Sequence, residues 1–405
     1  MKVLQLSNKI PYPEKDGGAL ATNAITEGLL QAGVEVKLLA MNTKKHFIDL
    51  ESIPKKFRSD RQLEAITMDT SVKPINALVA LLAGRSYNVS RFKSEKFGKK
   101  LAEILQKEKF DIIHLEGLYL APYINLIRKN SKAPIVLRGH NVEWKIWHKL
   151  AKEEKSGLKK QYLLTLSKQL KDYEENVVNH FDGIATITHR DLNYFKRTGC
   201  KAPMINIPFG MDISKYTPKE SKHPHSLFFI GALDWLPNVQ GLDWFLTTIW
   251  GDIHARYPHI KFHVAGRKMP ESIRKGVYKG VVFHGEVEDA KTFMQEYNIM
   301  IVPLLAGGGM RVKIIEGMAM AKPIVTTRMG IEGIECNIGK DVLVKDKPVD
   351  FCEAVCSALE DLNLAANIGK NGRILVESEY DVKKISHNLI GFYKDRMKDK
   401  SQNPA

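Results

Sequence analysis

"LLAGGGMRVKIIEGMAMAKPIV", residues 304–325, sets three consecutive glycines ahead of Arg311, Lys313 and Glu316 and closes on Pro323. The preceding "NIMIVPLL" reads as a buried strand, and Gly307, Gly308 and Gly309 form the loop that leaves it. A helix is expected to start near Met310. Its free N–H groups and dipole favour an anion at that end. Arg311 and Lys313 add forked and mobile positive charge, which suits a pyrophosphate. Glu316 lies one turn beyond Lys313 on the same helix face. A carboxylate there can accept hydrogen bonds from a vicinal diol such as a ribose. The plainer reading of these residues is a strand-to-helix turn with a Lys313–Glu316 surface pair.

Working outward, the same strand-then-helix rhythm fills the chain. "KVLQLS" opens it as a short apolar strand. "GGALATNAITEGLLQAG" follows as a helix stopped by Gly33, and then "VEVKLLAM" as the next strand. "FDIIHLEG", "APIVLRGH", "DGIATIT" and "APMINIPFG" complete a first set. From Leu227 the pattern restarts with "SLFFIGAL", "KFHVAGR", "VVFHGEV", "IMIVPLL", "KPIVTT" and "DVLVKD". Short apolar strands separated by helices argue parallel sheets. Two such sets argue an α/β protein of two doubly wound domains. The boundary is expected near the Pro-rich, polar "PFGMDISKYTPKESKHPH". This gives domains of residues 1–208 and 209–382, with a C-terminal helix over 383–400 packing back onto the first.

Composition narrows the class. The 405 residues exceed one ordinary core. Cys200, Cys336, Cys352 and Cys356 are too few and scattered for a disulfide framework, and no Cys/His pair completes a metal set. "MKVLQLSN" turns polar too soon for a secretory segment. The longest apolar run, "INALVALLAG" from Ile75 to Gly84, is about half of the ~20 residues a membrane span needs. A cytoplasmic protein is the expectation. The net charge of +15 is concentrated: Arg85 to Lys109 holds eight Lys/Arg against three Glu, and Lys145 to Lys171 holds eight Lys against two Glu. Each stretch reads as a basic-faced helix, suited to an anionic membrane surface or an anionic acceptor, or simply solvated. No motif points to nucleic acid.

In doubly wound folds, ligands gather beyond the carboxyl ends of the strands. The first strand ends in "SNKIPYPEKDGGA", where Gly17 and Gly18 precede a helix and let backbone N–H groups approach a phosphate. The fourth early strand ends in Arg138, Gly139 and His140, and a histidine there can bond a polar ligand. Neither the G-x-G-x-x-G fingerprint nor a G-x-x-x-x-G-K-[ST] loop is present.

Taken together, "P-Y-P-x-x-x-G-G", "FDIIHLEGL", "R-G-H-N-V-E", "IPFGMD", "FIGALDWLPNVQGLDWF", "FHVAGR", "VVFHGEVED" and "VPLLAGGGMRVKIIEGMAMAKPIVTT" make the chain resemble the retaining glycosyltransferases of family 4. These have the GT-B fold of two Rossmann-like domains facing across a cleft. The likeness spans Met1 to about Val382. It is nearest to the bacterial transferases of surface-polysaccharide, lipopolysaccharide and glycan assembly.

The resemblance implies a donor that is a UDP- or GDP-linked sugar, an acceptor that is a glycan or lipid-linked, no cofactor and no metal. Apart from the resemblance, the Ile75–Leu82 stretch flanked by the basic 85–109 cluster suits docking at the inner face of the plasma membrane to reach a lipid-linked acceptor. Glu316 corresponds to the second glutamate of the family's E-x7-E motif, on the nucleotide ribose. Gly17 and Gly18 correspond to the glycine loop near the donor phosphates, and His140 to the histidine near the donor sugar. Val287 stands where the family's backbone holds the nucleobase. The chain departs from the pattern twice. Gly308 stands where the first glutamate belongs. The phosphate-binding Arg and Lys after the first strand of the second domain are absent from "FIGALDWLPNVQG". Arg311 and Lys313 are the expected substitutes. Alternatives are a nucleotide-sugar epimerase of the same architecture and a non-catalytic subunit of a glycan assembly complex.

Overall fold

The computed structural model describes residues 1–14, 17–307 and 310–402, apart from the side chains of Pro74 and Leu78. The chain divides into two units: Met1–Gly210 with Val382–Ala405, and Met211–Asp381.

The first unit is built on seven parallel strands: β1 (Lys2–Ser7), β2 (Glu35–Thr43), β3 (Glu64–Met68), β4 (Ile112–Glu116), β5 (Ile135–Gly139), β6 (Gly183–Thr186) and β7 (Met204–Asn206). Their order in the sheet is β3-β2-β1-β4-β5-β6-β7. Central strands are covered on both faces, so they are apolar almost throughout rather than alternating. Every residue of β4 and β5 is buried. Val3 lies opposite Val36 on one side and Ile112 on the other. The polar exceptions, Gln5, His114, Glu116 and Arg138, are buried with them and converge on one place. The C-terminal helix Val382–Gln402 belongs to this unit: Ile385, Leu389, Phe392 and Tyr393 share a core with Val3, Ile25, Leu29, Val36 and Ile112.

The second unit repeats the plan with β8 (His223–Ile230), β9 (Lys261–Ala265), β10 (Val281–Gly285), β11 (Tyr297–Val302), β12 (Ile324–Thr326) and β13 (Leu343–Val344). These are parallel, in the order β10-β9-β8-β11-β12-β13. Its core joins Leu227, Phe229, Phe245, Trp250, Phe262, Ile299, Ile301 and Phe351. In each unit the winding reverses direction once, between β1 and β4 and between β8 and β11. The crevices beyond those strand ends are where such folds accept ligands.

Three expectations are corrected. β3 was not foreseen. It is an edge strand with only Met68 fully buried, so it lacks the apolar run that marks its neighbours. The basic stretch 85–109 is interrupted, with helices at Tyr87–Ser90 and Glu95–Lys107, because Ser94 caps a new start by accepting from the Phe97 N–H. The stretch 145–171 is likewise shared by helices Glu143–Glu153 and Gly157–Val177. The four cysteines are free thiols, with Cys352 and Cys356 buried as core residues.

Candidate functional site

In the second unit, the helix that follows β11 runs Val312–Ala319, two residues later than expected. Arg311 is therefore its N-cap, in a non-helical conformation, and Lys313 lies in its first turn. Gly308 and Gly309 lie outside the described residues. Gly307 adopts φ +125°, where side chains are rarely tolerated. A Cβ there would also come within 2.6 Å of Arg311 Nη2 and 3.1 Å of the Trp235 ring. That glycine thus makes room for a buried guanidinium, which sits 5.3 Å above the Trp235 ring.

Lys313 does not meet Glu316. Its side chain turns to the end of β8, where Nζ donates to Asn238 Oδ1 at 2.8 Å and to the Ile230 carbonyl at 3.3 Å. It also stands 4.7 Å over the Phe229 ring. The residue as a whole is half-buried, but its ammonium is enclosed by these groups. Burial, reinforced by the nearby Arg311 charge, brings its pKa down to about 7. A Cβ on Gly231 would lie 2.9 Å from both Lys313 Nζ and Asn238 Nδ2, so a side chain there would push this pair aside. Asn238 itself is fixed by donating to the Ala232 carbonyl at 2.8 Å. The Lys313 ammonium thus stands at the end of β8, brought there by the helix after β11.

Glu316 faces another way. Tyr216 donates its hydroxyl to Glu316 Oε1 at 2.9 Å, and Lys291 stands 4.3 Å over the Tyr216 ring. Burial raises the Glu316 carboxyl above its ordinary value, against the lowering influence of Tyr216 and Lys291. Val287 is half-buried in the segment that leaves β10, just before Asp289 caps the Ala290–Glu296 helix. The described candidates of this unit therefore all lie beyond the carboxyl ends of β8, β10 and β11.

In the first unit, Gly17 and Gly18 open the Gly17–Gln31 helix after β1. A Cβ on Gly17 would meet nothing within 4 Å, so the backbone there stands open. His140 follows β5, and its Nε2 lies 2.6 Å from Glu116 Oε2. Glu116, at the end of β4, went unnoticed in the sequence. It was signalled only by a carboxylate closing the buried strand in "FDIIHLEG". It is fully enclosed. Gln5 donates to Oε1 at 2.9 Å, His114 Nε2 lies 2.9 Å from the same oxygen, and Arg138 Nη1 is 3.6 Å from Oε2. Burial would raise this carboxyl, but Arg138 and the two histidines hold it well below the usual range. Facing a carboxylate, Nε2 of His140 is the donor of this bond. The Tyr393 hydroxyl, from the C-terminal helix, bonds His114 Nδ1 behind it. Asn238 and Tyr216 were also missed, since nothing local in the sequence ties them to residues 75 and 100 positions away.

Comparison with known proteins matches this layout half by half. The family described as Glycosyltransferase Family 4 matches residues 16–215, and that described as Glycosyl transferases group 1 matches 224–361. A Klebsiella pneumoniae protein, the uncharacterized 44.6 kDa protein in the cps region, is 26% identical over 96% of this chain and 99% of its own length. The crystal structure of Anabaena HepE in complex with UDP superposes with a TM-score of 0.66 at 16% identity, over 98% of this chain and 100% of that one. Sucrose-phosphate synthase from Thermosynechococcus elongatus gives 0.66 at 14% identity, over 98% and 99%. Two switch-point sheets, matched in order by both family models and in fold by these structures, place the chain among the family 4 glycosyltransferases of GT-B fold.

Proposed function

We propose that this glycosyltransferase moves a sugar from a nucleoside-diphosphate sugar to an acceptor hydroxyl with retention of anomeric configuration, in the assembly of a bacterial polysaccharide or other glycan. The observation that carries the reading is the Lys313 ammonium held at the end of β8, beside Gly231, with Arg311 close by. Breaking the glycosidic bond leaves negative charge on the diphosphate and positive charge on an oxocarbenium-like carbon. Lys313, Arg311 and the N-terminal N–H groups of the Val312–Ala319 helix supply fixed positive potential for the first. Glu316 would accept hydrogen bonds from the ribose diol, and the backbone at Val287 would hold the base. His140, oriented by Glu116, would hold a hydroxyl of the donor sugar, and the backbone at Gly17 and Gly18 would face its phosphates. The donor reading agrees with UDP in the HepE structure, and the glycan reading with the cps-region relative. On this account the protein's own cations neutralise the leaving group, without a bound metal, and the acceptor is a glycan or lipid-linked at an anionic membrane.

A thermal-shift panel of nucleoside diphosphates and their sugars tests the donor. A ligand at 100 times its Kd stabilises by ~2.7 kcal/mol. Stabilisation by one diphosphate family is expected, followed by release of that diphosphate only when an acceptor is added. An epimerase would instead convert the sugar with no acceptor present.

A further inference from the structure

The helix Pro74–Leu82 packs one face inward, where Ala77 and Ala80 meet Tyr87 and Leu166. Its opposite face is bare. Ile75, Val79 and Leu82 are 77%, 53% and 80% exposed, and they follow one another at the i, i+4, i+7 spacing of a single stripe. Val72 just before them is also exposed, as is Leu158, one turn ahead of Tyr162 in the neighbouring Gly157–Val177 helix. No described helix is long and apolar enough to cross a membrane. A contiguous apolar stripe on a charged protein marks a contact surface.

Val79 of that stripe also lines a cavity of about 350 Å³. Four of its other walls are cations: Lys73, Arg85, Arg91 and Lys93. Its single carboxylate, Asp69, is engaged by Lys44 at 3.0 Å and by the Ser71 N–H at 2.9 Å. Among the described residues, no carboxylate lies within ion-pair distance of the four cations. Arg91 Nε is buried there with no hydrogen-bond partner. The cavity floor is fixed, because the Lys73 N–H donates to the Tyr87 hydroxyl at 2.8 Å. Two guanidinium forks and two ammoniums around a preformed hollow match the oxygens of a phosphate ester better than the single charge of a carboxylate.

We propose that this cavity holds the phosphate head of a lipid whose apolar chain lies along the Ile75–Val79–Leu82 stripe. The site deepens the acceptor side of the proposed function, and it rests on that reading only for the lipid's role as acceptor. Charge and apolar surface meet at one edge, as a lipid phosphate at a bilayer surface requires.

The test is co-flotation of the whole protein with three vesicle types at physiological salt: phosphatidylcholine alone, with phosphatidic acid, and with phosphatidylserine at matched charge. Binding to phosphatidic acid is expected to exceed the other two by about tenfold. The double variant Arg85→Gln/Lys93→Gln should lose that preference. Ile75→Asp/Leu82→Asp should lose vesicle binding. Thermal shift with the nucleoside diphosphate, run on every variant, reports an intact fold and donor site, so a failed donor reading and a failed lipid site are told apart. Equal binding to the two anionic vesicles would reduce the feature to diffuse charge and overturn the proposal. So would a folded protein that ignores all three vesicles.

Discussion

Lys313 Nζ donates to Asn238 Oδ1 at 2.8 Å, joining the helix after β11 to the helix after β8. This ammonium is buried, with its pKa brought down to about 7 by burial and then by Arg311. Between pH 7 and its ordinary value, the unfolded chain holds a proton that the folded chain has released. Stability therefore rises with pH through that window on account of this residue. A bound diphosphate reverses the balance by favouring the charged form. Titration calorimetry of the nucleoside diphosphate near pH 8, in buffers of different ionisation enthalpy, should show net proton uptake. Uptake should be absent in Lys313→Met, and affinity in the native protein should fall from pH 7 to pH 9.

Gly231→Ala tests the same geometry without touching a charge. The added Cβ would sit 2.9 Å from both the Lys313 tip and the Asn238 amide, two side-chain ends that can shift. The fold should survive, with a loss of about 1–3 kcal/mol by urea titration. Turnover should fall by at least tenfold because the ammonium is displaced. Native turnover in a folded Gly231→Ala protein would show that the position of Nζ does not matter.

Glu316→Gln should weaken donor binding by about 1.5–3 kcal/mol, the contribution of a hydrogen bond to a charged group. Tyr216→Phe removes only the hydroxyl that orients Oε1, so its effect should be smaller, about 0.5–1.5 kcal/mol. Competition binding of the nucleoside against both variants checks the order. A larger effect for Tyr216→Phe would mean that Glu316 serves to hold Tyr216 rather than a ribose.

Glu116→Gln strips the buried Arg138 of its counter-charge. Uncompensated buried charges commonly cost 3–5 kcal/mol. Because the folded-state value of Glu116 is depressed, its contribution is present above the ordinary carboxylate value and disappears as pH falls through the lower, folded value. Urea unfolding at pH 7 and in acid should show a gap between native and variant proteins that closes on the acid side.

The strands were legible wherever both faces are covered, because burial on two sides leaves a nearly continuous apolar run such as "PIVL" or "IMIV". Edge strand β3 gave no such run. The glycine-and-cation segment suggests a candidate anion site in the sequence, but not the direction in which its cations point. Periodicity alone put Lys313 and Glu316 on one face as a pair. The fold instead sends Lys313 to Asn238 and Glu316 to Tyr216, contacts between residues far apart in sequence. Glu116 stayed hidden for a related reason: a carboxylate at a strand end looks ordinary until Gln5, His114, Arg138 and His140 are seen around it.

If Arg311 and Lys313 form the diphosphate grip that the β8 loop lacks, calorimetric binding of the nucleoside and its diphosphate to Arg311→Ala and Lys313→Met, with turnover measured on the same preparations, will separate the phosphates from the base. Nucleoside affinity should be unchanged, diphosphate binding weaker and turnover lower by on the order of 100-fold, since leaving-group charge is greatest in the transition state. Equal losses for nucleoside and diphosphate, or native turnover in both variants, would contradict that grip.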